Sequence, residues 1–409
     1  MKRIIILGGG VGGLIAANEL RRLLRGHPII LIEKKPQHAF APSFLWLMNG
    51  ERRPAQVVRP LQELVAADVE VVEAEVSRIE LEQRRVYAGT EPLVYDYLIL
   101  ALGAELAWDT IPGLASAHTF YTFEGASRLH DALQSFDGGT ITVVVSATPY
   151  KCPGAPHEGA MLIADFFRRS GRQSKVNVHL FTPEPQPMPV AGPELGEAVR
   201  RMLASREVHF HPLHKLIAVD PEQRRLIFDG KEPVKYDLLA VIPPHRAPTV
   251  VLGTGLTNEA GWIPVDRSTL ETRHKGVYAI GDITTIPIPG RWKPDVPLLL
   301  PKAGVFAHAQ AHVVAARIAA EINDRNSTDQ FCGEGYCMLE AGEGLGGFAF
   351  GNFFAEPSPQ VQLHEMGRIW HWGKVLFERW WLASPGLKRQ ALKLAIRTGA
   401  NAYGIPVAL

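Results

Sequence analysis

Three cysteines are the residues of this chain best suited to redox chemistry. They are Cys152, Cys332 and Cys337 in 409 residues, too few for a disulfide scaffold. Cys152 lies in "SATPYKCPGAPHEG", directly after the apolar run "TITVVV". Ligands of parallel sheets bind beyond the carboxyl ends of the strands, so a thiol there could carry electrons. The alternative for each cysteine is an inert thiol in the core.

The spacing of cysteines and histidines does not favour a metal. The chain has no CxxC pair, no CxxCH haem attachment site and no histidine–cysteine cluster with zinc spacing. We therefore predict no metal site.

The first 35 residues have the pattern of a dinucleotide-binding unit. The stretch "KRIIILGGGVGGLIAANEL" predicts a strand, a glycine loop and a helix, and Gly8, Gly10 and Gly13 satisfy G-x-G-x-x-G. The helix N-terminus would then face phosphate groups. A second strand, "PIILIEKK", carries Glu33, 20 residues after Gly13, where its carboxylate can accept a hydrogen bond from a ribose hydroxyl.

A second unit of the same kind follows, without its glycine loop. "TITVVVSA" and "KVNVHLFT" read as strands, "EGAMLIADFFRRSG" as the helix between them, and "YDLLAVIPPHRAP" closes the unit. The loop after the first of these strands contains prolines instead of paired glycines, and proline has no N–H to offer a pyrophosphate. We predict that this unit does not bind NAD(P)H.

Two later segments, together with the glycine loop, carry a resemblance to a known family. "YDYLILALGA" and "KGVYAIGDIT" each read as a strand ending at small residues. The three motifs resemble those of the two-dinucleotide-domain flavoproteins, the glutathione-reductase-like disulfide and quinone reductases. This resemblance implies an α/β fold with two Rossmann-like domains in tandem and FAD as cofactor. The expected cofactor-binding residues are Gly8, Gly10, Gly13, Glu33, Pro42, Ser43, Val76, Ala101, Gly103, Gly281, Asp282 and Lys302, with Asp282 on the ribityl chain.

The resemblance also implies a division of the chain. The FAD domain is expected to be discontinuous, with residues 1–112 and 245–325, and the second Rossmann-like domain to span 113–244. Residues 326–409 would form a C-terminal region at the quinone and the membrane. Residues 69–88 read as strands of a side meander, with the backbone near Val76 meeting the adenine.

The segments around two cysteines resemble a narrower group. "YKCPGAPHE" and "GYCMLEAG" look like those of the sulfide:quinone oxidoreductases. The resemblance implies that Cys152 and Cys337 flank the flavin, alternate between a sulfur bridge and thiolates, and pass two electrons from sulfide through FAD to a membrane quinone. Which of the two holds the growing sulfur chain stays open. The third cysteine that many members carry before the first is missing, and Cys332 is either inert or part of a sulfur relay.

Other residues of the expected site have a structural alternative. Lys302, in "LLLPKAGVFAHAQ", matches the group's motif and would stabilise negative charge on reduced flavin; a surface lysine is the alternative. His157 and Glu158 could move protons beside Cys152, or serve as a structural histidine and a helix-capping acid. The segment "APSFLWLMNG", with Pro42 and Ser43, would lie along the flavin or form a mobile apolar loop.

The C-terminal composition predicts contact with a membrane. After Glu378 the chain has no acidic residue but five cations, at Arg379, Lys388, Arg389, Lys393 and Arg397. In a helical projection, Leu387, Ala391, Leu394 and Ala395 fall on one side of the second helix. Arg389, Lys393 and Arg397 fall on the other side. We predict two helices around a Ser-Pro-Gly break, an interfacial anchor on an anionic bilayer surface. A helix packed on the protein or in a dimer is the alternative.

A quinone entering from the bilayer would meet aromatic side chains of this region. The available pool consists of Phe331, Tyr336, Phe348, Phe350, Phe353, Phe354, Trp370 and Phe377.

Composition bounds the remaining functions. The formal charge of +1 gives no case for nucleic-acid binding. Residues 1–25 lack the features of a secretory signal, and no apolar run reaches the roughly 18–20 residues that span a bilayer. We expect a peripheral, monotopic protein on the cytoplasmic face of the cell membrane, and association with further copies of itself stays open. The rival hypotheses are a type II NADH:quinone oxidoreductase and a non-enzymatic flavin or thiol redox sensor.

Overall fold

We describe a computed structural model of the chain, which covers residues 1–293 and 296–405. Helices and strands alternate through most of its length, as expected of an α/β protein. The helices are α1 (Val11–Leu23), α2 (Phe44–Met48), α3 (Pro54–Val57), α4 (Phe123–Ser135), α5 (Ala155–Arg169), α6 (Pro193–Ser205), α7 (Gly304–Ile322), α8 (Arg368–Trp381) and α9 (Leu387–Ala402).

The strands of the N-terminal half lie between residues 4 and 145. They are β1 (Ile4–Leu7), β2 (Ile29–Glu33), β3 (Gln37–Ala39), β4 (Val58–Pro60), β5 (Glu70–Glu73), β6 (Arg78–Glu80), β7 (Arg85–Tyr87), β8 (Pro92–Val94), β9 (Tyr97–Leu100), β10 (Glu105–Leu106) and β11 (Gly139–Val145).

The remaining strands lie between residues 176 and 367. They are β12 (Val176–Phe181), β13 (Val208–His211), β14 (Leu216–Asp220), β15 (Arg225–Phe228), β16 (Val234–Lys235), β17 (Leu238–Ile242), β18 (His245–Arg246), β19 (Ile263–Pro264), β20 (Val277–Ala279), β21 (Thr284–Thr285), β22 (Pro287–Lys293), β23 (Val296–Leu299), β24 (Glu334–Glu340), β25 (Gly346–Asn352) and β26 (Gln360–Gly367).

The first parallel sheet joins distant parts of the chain. Its strand order is β20-β9-β1-β2-β5, and the four residues of β1 are fully buried. Runs of β-branched and leucine side chains are typical of strands covered on both faces. Because β20 pairs with β9 through Val277 and Leu98, the chain returns to this sheet after an excursion of more than a hundred residues.

Residues 69–88 differ in one respect from the predicted meander. Strand β5 is the edge of the parallel sheet, whereas β6, β7 and β8 form a separate antiparallel sheet. The reason is the apolar pair Val71 and Val72, which pack on opposite faces of the parallel sheet against two different parts of the core.

The second parallel sheet has the order β13-β12-β11-β17. Strand β11 is its centre, with Thr140 opposite Asn177 in β12 and Ile141 opposite Leu238 in β17. The two sheet-bearing regions are joined twice, and β10 and β18 pair antiparallel at this junction. The predicted architecture of two Rossmann-like units is confirmed.

The C-terminal region is an antiparallel sheet, β24-β25-β26, with α8 and α9 beside it. Successive side chains of a strand point to opposite faces. Accordingly, Cys337 and Leu339 pack against the core of the second Rossmann-like unit, whereas Tyr336 and Met338 pack against a cluster around Trp370.

The chain between Trp381 and Leu387 separates the two last helices, α8 and α9, as predicted. On α9, Leu392 and Ile396 pack on the main core, and Leu387 and Leu394 point to solvent with 85% and 66% exposure. Within residues 1–293 and 296–405, no helix combines the length and the hydropathy needed to cross a bilayer.

Candidate active site

The glycine loop lies at the carboxyl end of β1, as predicted. Gly8 has φ +101°, and a Cβ there would lie 2.4 Å from the carbonyl oxygen of Ala101. A Cβ on Gly13 would lie 1.8 Å from the carbonyl oxygen of Gly8. At Gly10, by contrast, nothing lies within 4 Å of a Cβ, so the loop borders open space at the start of α1. This geometry suits a pyrophosphate at a helix N-terminus.

Glu33 ends β2 beside this loop. Its Oε2 accepts a hydrogen bond from the amide of Gly9 at 2.6 Å, and its Oε1 accepts one from the amide of Lys35 at 3.0 Å. The carboxylate is therefore fixed at the position expected of a ribose acceptor, next to the phosphate loop.

Two unpartnered polar atoms lie near Lys151 and Lys302, close to the junction of the two Rossmann-like units. Asp282 Oδ1 and His245 Nε2 are buried and have no hydrogen-bond partner within the described chain. Burial raises the pKa of Asp282, and the nearby Lys151 and Lys302 oppose that rise. A buried polar atom without a partner needs an explanation, and a bound ligand would supply partners for these two. A flavin with a hydroxylated ribityl chain fits these groups.

Most of the other predicted cofactor residues follow strands of the first parallel sheet. Ala101 follows β9, Gly103 has open space where a Cβ would be, and Gly281 has φ +74° at the turn before Asp282. Val76 is buried in the core beneath β2 and β9, close in sequence to β5. Their roles in cofactor binding stay predictions.

Lys302 lies at Asp282, but its ammonium group is already engaged. Its Nζ donates hydrogen bonds to the carbonyl oxygens of Asp282 and Thr284, at 2.6 and 3.0 Å, and lies 3.4 Å from the ring centroid of Trp262. Burial lowers the pKa of Lys302 to about 8, while Asp282 opposes the change. In this arrangement the lysine holds the turn that carries Asp282.

Cys152 adopts an unusual backbone conformation. Its φ is +55°, which is rare outside glycine. The conformation is held by three hydrogen bonds: Cys152 N to Lys302 O at 2.6 Å, Ala155 N to Cys152 O at 2.9 Å, and the Tyr121 hydroxyl to Cys152 O at 3.3 Å. Such backbone strain is typical of functional sites.

The structure brings Cys337 to the same loop. A Cβ on Gly154, two residues after Cys152, would lie 3.2 Å from the sulfur of Cys337. Both cysteines are free thiols. Cys152 is exposed to solvent, and Cys337 is partly buried. Burial and the neighbouring Glu158 raise the pKa of Cys152 to about 12 and also raise that of Cys337.

A buried ion pair lies beside both thiols. Lys374 Nζ of α8 donates to Glu158 Oε1 of α5 and, at 3.3 Å, to the carbonyl oxygen of Met338. Glu158 also accepts from the amide of Glu340 at 2.9 Å. Burial raises the pKa of Glu158, and Lys374 counteracts it; burial by itself would lower the pKa of Lys374, but the Glu158 and Glu340 carboxylates raise it. Sequence reasoning named Glu158 and missed Lys374.

His157 and Cys332 lie differently. His157 Nδ1 is 3.2 Å from the carbonyl oxygen of Pro153 and its Nε2 is buried without a partner, and burial lowers the pKa of His157 to about 4. Its ring faces Phe210, with centroids 6.2 Å apart, which suits a neutral structural histidine. Cys332 is exposed and its sulfur is 3.5 Å from the carbonyl oxygen of Gln330; no contact links it to the other two thiols in the described chain.

The segment of Pro42 and Ser43 is tied to the C-terminal region. Both residues belong to a short 3-10 turn over Ala41–Ser43. The Ser43 hydroxyl donates to Glu378 Oε1 at 2.5 Å, and Arg52 donates to Glu378 Oε2 from Nε and Nη2 at 2.9 and 2.7 Å. The segment is an ordered turn and short helix held by α8.

A second link to α8 reaches the phosphate loop itself. The indole N–H of Trp381 donates to His38 Nε2 at 2.8 Å, and His38 Nδ1 lies 3.0 Å from the carbonyl oxygen of Gly9. Because a carbonyl only accepts, the ring is neutral with its proton on Nδ1. Burial lowers the pKa of His38 to about 4, although the Gly9 hydrogen bond opposes this shift.

The aromatic pool of the C-terminal region splits into two clusters. Tyr336, Phe348 and Trp370 are stacked in sequence, with centroids 6.1 and 4.7 Å apart, and Phe377 meets Tyr336 edge-on at 6.5 Å. The other cluster gathers around Phe306 of α7 and contains Phe331, Phe353 and Phe354. Phe350 packs with the first cluster.

In the second Rossmann-like unit, the acid that follows the second strand, Glu184, accepts hydrogen bonds from side chains of the protein. The Tyr150 hydroxyl, from the loop of Cys152, donates to Glu184 Oε2 at 2.7 Å just after β12. Thr182 also donates to this carboxylate at 3.3 Å, and burial raises the pKa of Glu184 to about 7. A carboxylate that follows the second strand serves the nucleotide ribose in a Rossmann unit. Here one oxygen of that acid, Oε2, accepts a hydrogen bond from the protein's own phenol.

No metal centre is found. Among residues 1–293 and 296–405, no group of three or more histidine, cysteine, aspartate or glutamate side chains is arranged to hold an ion.

Comparisons with known proteins agree with this geometry. The sequence pattern of the pyridine nucleotide-disulphide oxidoreductases matches residues 2–311. The mitochondrial sulfide:quinone oxidoreductase of Mus musculus is 27% identical over 299 residues, which cover 69% of this chain and 66% of that protein. The sulfide-quinone reductase of Aquifex aeolicus is 26% identical over 97% of this chain and 95% of its own length.

A solved structure has the same fold. The sulfide:quinone oxidoreductase of Aquifex aeolicus superposes with a TM-score of 0.83 and 24% identity, covering 99% of this chain and 94% of that one. The chain therefore belongs to the pyridine nucleotide-disulphide oxidoreductase family, a family of oxidoreductases that implies a flavin cofactor, and its predicted resemblance to the sulfide:quinone oxidoreductases is confirmed.

Proposed function

We propose that this protein is an FAD-dependent sulfide:quinone oxidoreductase. One observation carries the proposal: two free thiols from distant parts of the chain, Cys152 and Cys337, come to the same loop, since the Cys337 sulfur is 3.2 Å from where a Cβ on Gly154 would lie. The named sulfide:quinone relatives support the same activity.

The chemistry requires a two-electron oxidation of sulfur. In the active state the two cysteines are joined by a sulfur bridge, and hydrosulfide attacks one of its sulfur atoms. The new S–S bond retains the substrate sulfur, and the other cysteine leaves as a thiolate. Over the whole cycle hydrosulfide loses two electrons and one proton and becomes sulfane sulfur. The quinone gains two electrons and two protons, so one further proton is taken up from water.

The cofactor connects these two half-reactions. Bound FAD would accept the two electrons at its ring and pass them to the quinone. Gly8, Gly10 and Glu33 would hold its phosphates and adenosine ribose, and Asp282 its ribityl chain. We assign Lys302 to the turn that positions Asp282, since its Nζ is bonded to two carbonyl groups there.

The quinone is proposed to approach from the opposite face of the C-terminal sheet. Cys337 and Leu339 point to the Rossmann-like side of β24, whereas Tyr336 points to the aromatic cluster with Phe348 and Trp370. A flat, apolar ring system packs well between such side chains. The sheet would thereby separate sulfur chemistry from quinone reduction.

Attachment to the membrane is proposed through α9. Its solvent side carries Leu387 and Leu394, and its cations Arg389 and Lys393 are half-buried on the protein side. An exposed apolar stripe on a terminal helix suits insertion into the interface of an anionic bilayer. We place the protein as a peripheral, monotopic enzyme on the cytoplasmic face.

The decisive experiment measures flavin absorbance in the absence of oxygen. Sulfide is expected to bleach the oxidised flavin band, NADH to leave it unchanged, and a short-chain quinone to restore it. The loop after β11, which has prolines in place of paired glycines, is the physical reason for the NADH result. Bleaching by NADH but not by sulfide would instead favour a type II NADH:quinone oxidoreductase, and bleaching by neither would favour a redox sensor.

Removing either thiol of the pair tests the mechanism. Cys152→Ser and Cys337→Ser are each expected to slow sulfide-driven bleaching at least a hundredfold while the flavin stays bound, because a hydroxyl cannot form the sulfur bridge. Cys332→Ser is the matched control and is expected to retain the bleaching rate, since Cys332 makes no contact with the pair. Full activity of either of the first two variants would contradict the two-thiol mechanism.

A further inference from the structure

The hydroxyl of Tyr121 makes a contact with the Cys152 loop that the proposed mechanism does not yet use. Tyr121 lies just before α4 and 31 residues before Cys152 in the chain, and its side chain is buried, with 7% exposure. The hydroxyl donates a hydrogen bond to the carbonyl oxygen of Cys152 at 3.3 Å. This bond ties the loop between β11 and α5 to a segment outside it.

Tyr121 is itself held in place. Its amide donates to Thr119 Oγ1 at 3.2 Å, and the next residue, Thr122, caps α4 by accepting from the amide of Gly125 at 2.9 Å. The ring of Tyr121 meets His245 edge-on, with centroids 5.7 Å apart. The hydroxyl is therefore a donor in a fixed position.

The backbone of Cys152 needs such support. Its φ of +55° is a left-handed conformation, and Pro153 follows it, although the residue before a proline normally adopts an extended conformation. A strained residue of this kind persists only where its surroundings hold it. Ala155 N bonds the Cys152 carbonyl oxygen from within the loop, whereas Tyr121 and Lys302 O are the partners from other parts of the chain.

The conformation of Cys152 matters because a second thiol arrives at the same loop. The sulfur of Cys337, from β24, is 3.2 Å from where a Cβ on Gly154 would lie. If Cys152 relaxed to an extended conformation, its Cα–Cβ bond would point in another direction relative to β24. Two cysteines can be joined through sulfur only within a narrow range of distances and angles.

We propose that Tyr121 is a positioning residue for the thiol pair, whose hydroxyl keeps Cys152 in the left-handed conformation that allows a sulfur bridge to Cys337. This assignment rests on the proposed function, in which that bridge receives the substrate sulfur. Tyr121 takes no part in the bond-forming steps and acts only through the backbone of Cys152.

The first measurement asks whether Tyr121 holds the loop. Tyr121→Phe removes the hydroxyl and keeps the ring. In the flavin-containing protein, hydrogen–deuterium exchange of peptides from residues 147–156 is expected to become about fivefold faster, because one hydrogen bond that opposes local opening is lost. Tyr236→Phe is the matched control: Tyr236 is 8% exposed and packs in a different hydrophobic cluster, with Leu226 and Phe228. Native exchange rates in Tyr121→Phe would overturn the proposal.

The second measurement follows the thiol pair itself. Reduced protein is equilibrated without oxygen in glutathione buffers, in which one glutathione disulfide becomes two glutathione thiols for each Cys152–Cys337 bridge formed. Peptide masses, taken after alkylation of the remaining thiols, give the bridged fraction. Tyr121→Phe is expected to lower the equilibrium constant for bridge formation about fivefold, and Tyr236→Phe to leave it unchanged. A native-like constant in Tyr121→Phe, or a native protein that forms no bridge, would contradict the positioning role.

The third measurement uses sulfide. At saturating sulfide, Tyr121→Phe is expected to slow flavin bleaching about fivefold, with the half-maximal sulfide concentration unchanged, because the hydroxyl acts on Cys152 and does not bind the substrate. A raised half-maximal concentration with a native maximal rate would contradict action through the backbone. If native protein is not bleached by sulfide, the proposed function fails, whereas the exchange and glutathione results still decide whether Tyr121 positions Cys152.

Discussion

At the scale of single residues, Glu158 and Lys374 form an ion pair that is almost completely shielded from water. Their exposed fractions are 2% and 6%, and they come from helices 216 residues apart in sequence. Transferring two charges from water costs several kcal/mol, and only their mutual attraction and further hydrogen bonds offset it. The stability of the fold is therefore reduced most when only one partner of this pair is lost.

We predict that Lys374→Met lowers the free energy of unfolding by about 3–5 kcal/mol, because it leaves the Glu158 carboxylate buried and unpaired. The double variant Glu158→Gln/Lys374→Met is expected to be more stable than the single one, since neither charge then remains. Chemical denaturation at pH 7 measures both. The coupling would be contradicted if the free energy of unfolding of the double variant fell by as much as the separate losses in Glu158→Gln and Lys374→Met added together.

The positions of the glycine loop and of Glu33 are the part of the candidate site that the sequence predicts well. Gly8, Gly13 and Glu33 act through local geometry within one strand–loop–helix–strand unit, so their spacing is visible in the chain. Lys374 and Trp381 could not be found in the same way. Their partners lie 216 and 343 residues away, and only tertiary packing reveals that a tail residue faces an N-terminal one.

At the scale of elements, α8 connects the C-terminal region with the cofactor-binding unit. One of its faces bonds Ser43 and Arg52 through Glu378, and its last turn reaches His38 and thereby the Gly9 carbonyl group. His38 and Trp381 are 7% and 3% exposed, so water cannot replace their hydrogen bond. We infer that α8 helps to hold the phosphate loop in its binding conformation.

Trp381→Phe is predicted to weaken flavin binding roughly fivefold, because it leaves His38 Nε2 buried without a donor at a cost of about 1 kcal/mol. The flavin fluorescence released on dilution gives the dissociation constant. Trp372→Phe is the matched control, since Trp372 lies on the same helix but is 61% exposed. Equal flavin retention in the two variants would rule out the link through His38.

The loop between β11 and α5 shows what sequence can say about an element and what it cannot. Its prolines and the missing glycine pair predict a loop unsuited to pyrophosphate. The sequence does not reveal that Tyr150 of this loop bonds Glu184, because that contact depends on how the loop folds over the end of β12.

At the scale of the whole molecule, the side of α9 that carries Leu387 and Leu394 faces away from the protein. Leu392 and Ile396 of the same helix pack inward, so the helix is anchored while Leu387 and Leu394 remain exposed. The predicted helical projection is confirmed in that these leucines share one side. Arg389 is not free on the far side, because it bonds the Ala383 carbonyl group and lies over Trp380, whereas Lys388 is exposed.

We predict that Leu387→Ser/Leu394→Ser reduces binding to vesicles containing anionic phospholipid at least tenfold, because each leucine would bury apolar area worth about 1.5 kcal/mol or more. Vesicle sedimentation measures the bound fraction. Leu252→Ser, at an exposed leucine of the Rossmann-like part, is the control and is expected to bind as the native protein does. Undiminished binding of the double variant would contradict the anchor.

The hydrogen bonds from Trp381 through His38 to Gly9 join the two ends of the polypeptide, and this sets where the chain can be shortened. Cutting after Ala383 removes α9 and leaves the link to the phosphate loop intact. Cutting before α8 removes Trp381 and Glu378 together. His38 then loses its indole donor, and Arg52 loses its carboxylate acceptor. A truncated form made for crystallisation should therefore end between α8 and α9. It would then lack the helix that is proposed to bind lipid and would retain its flavin.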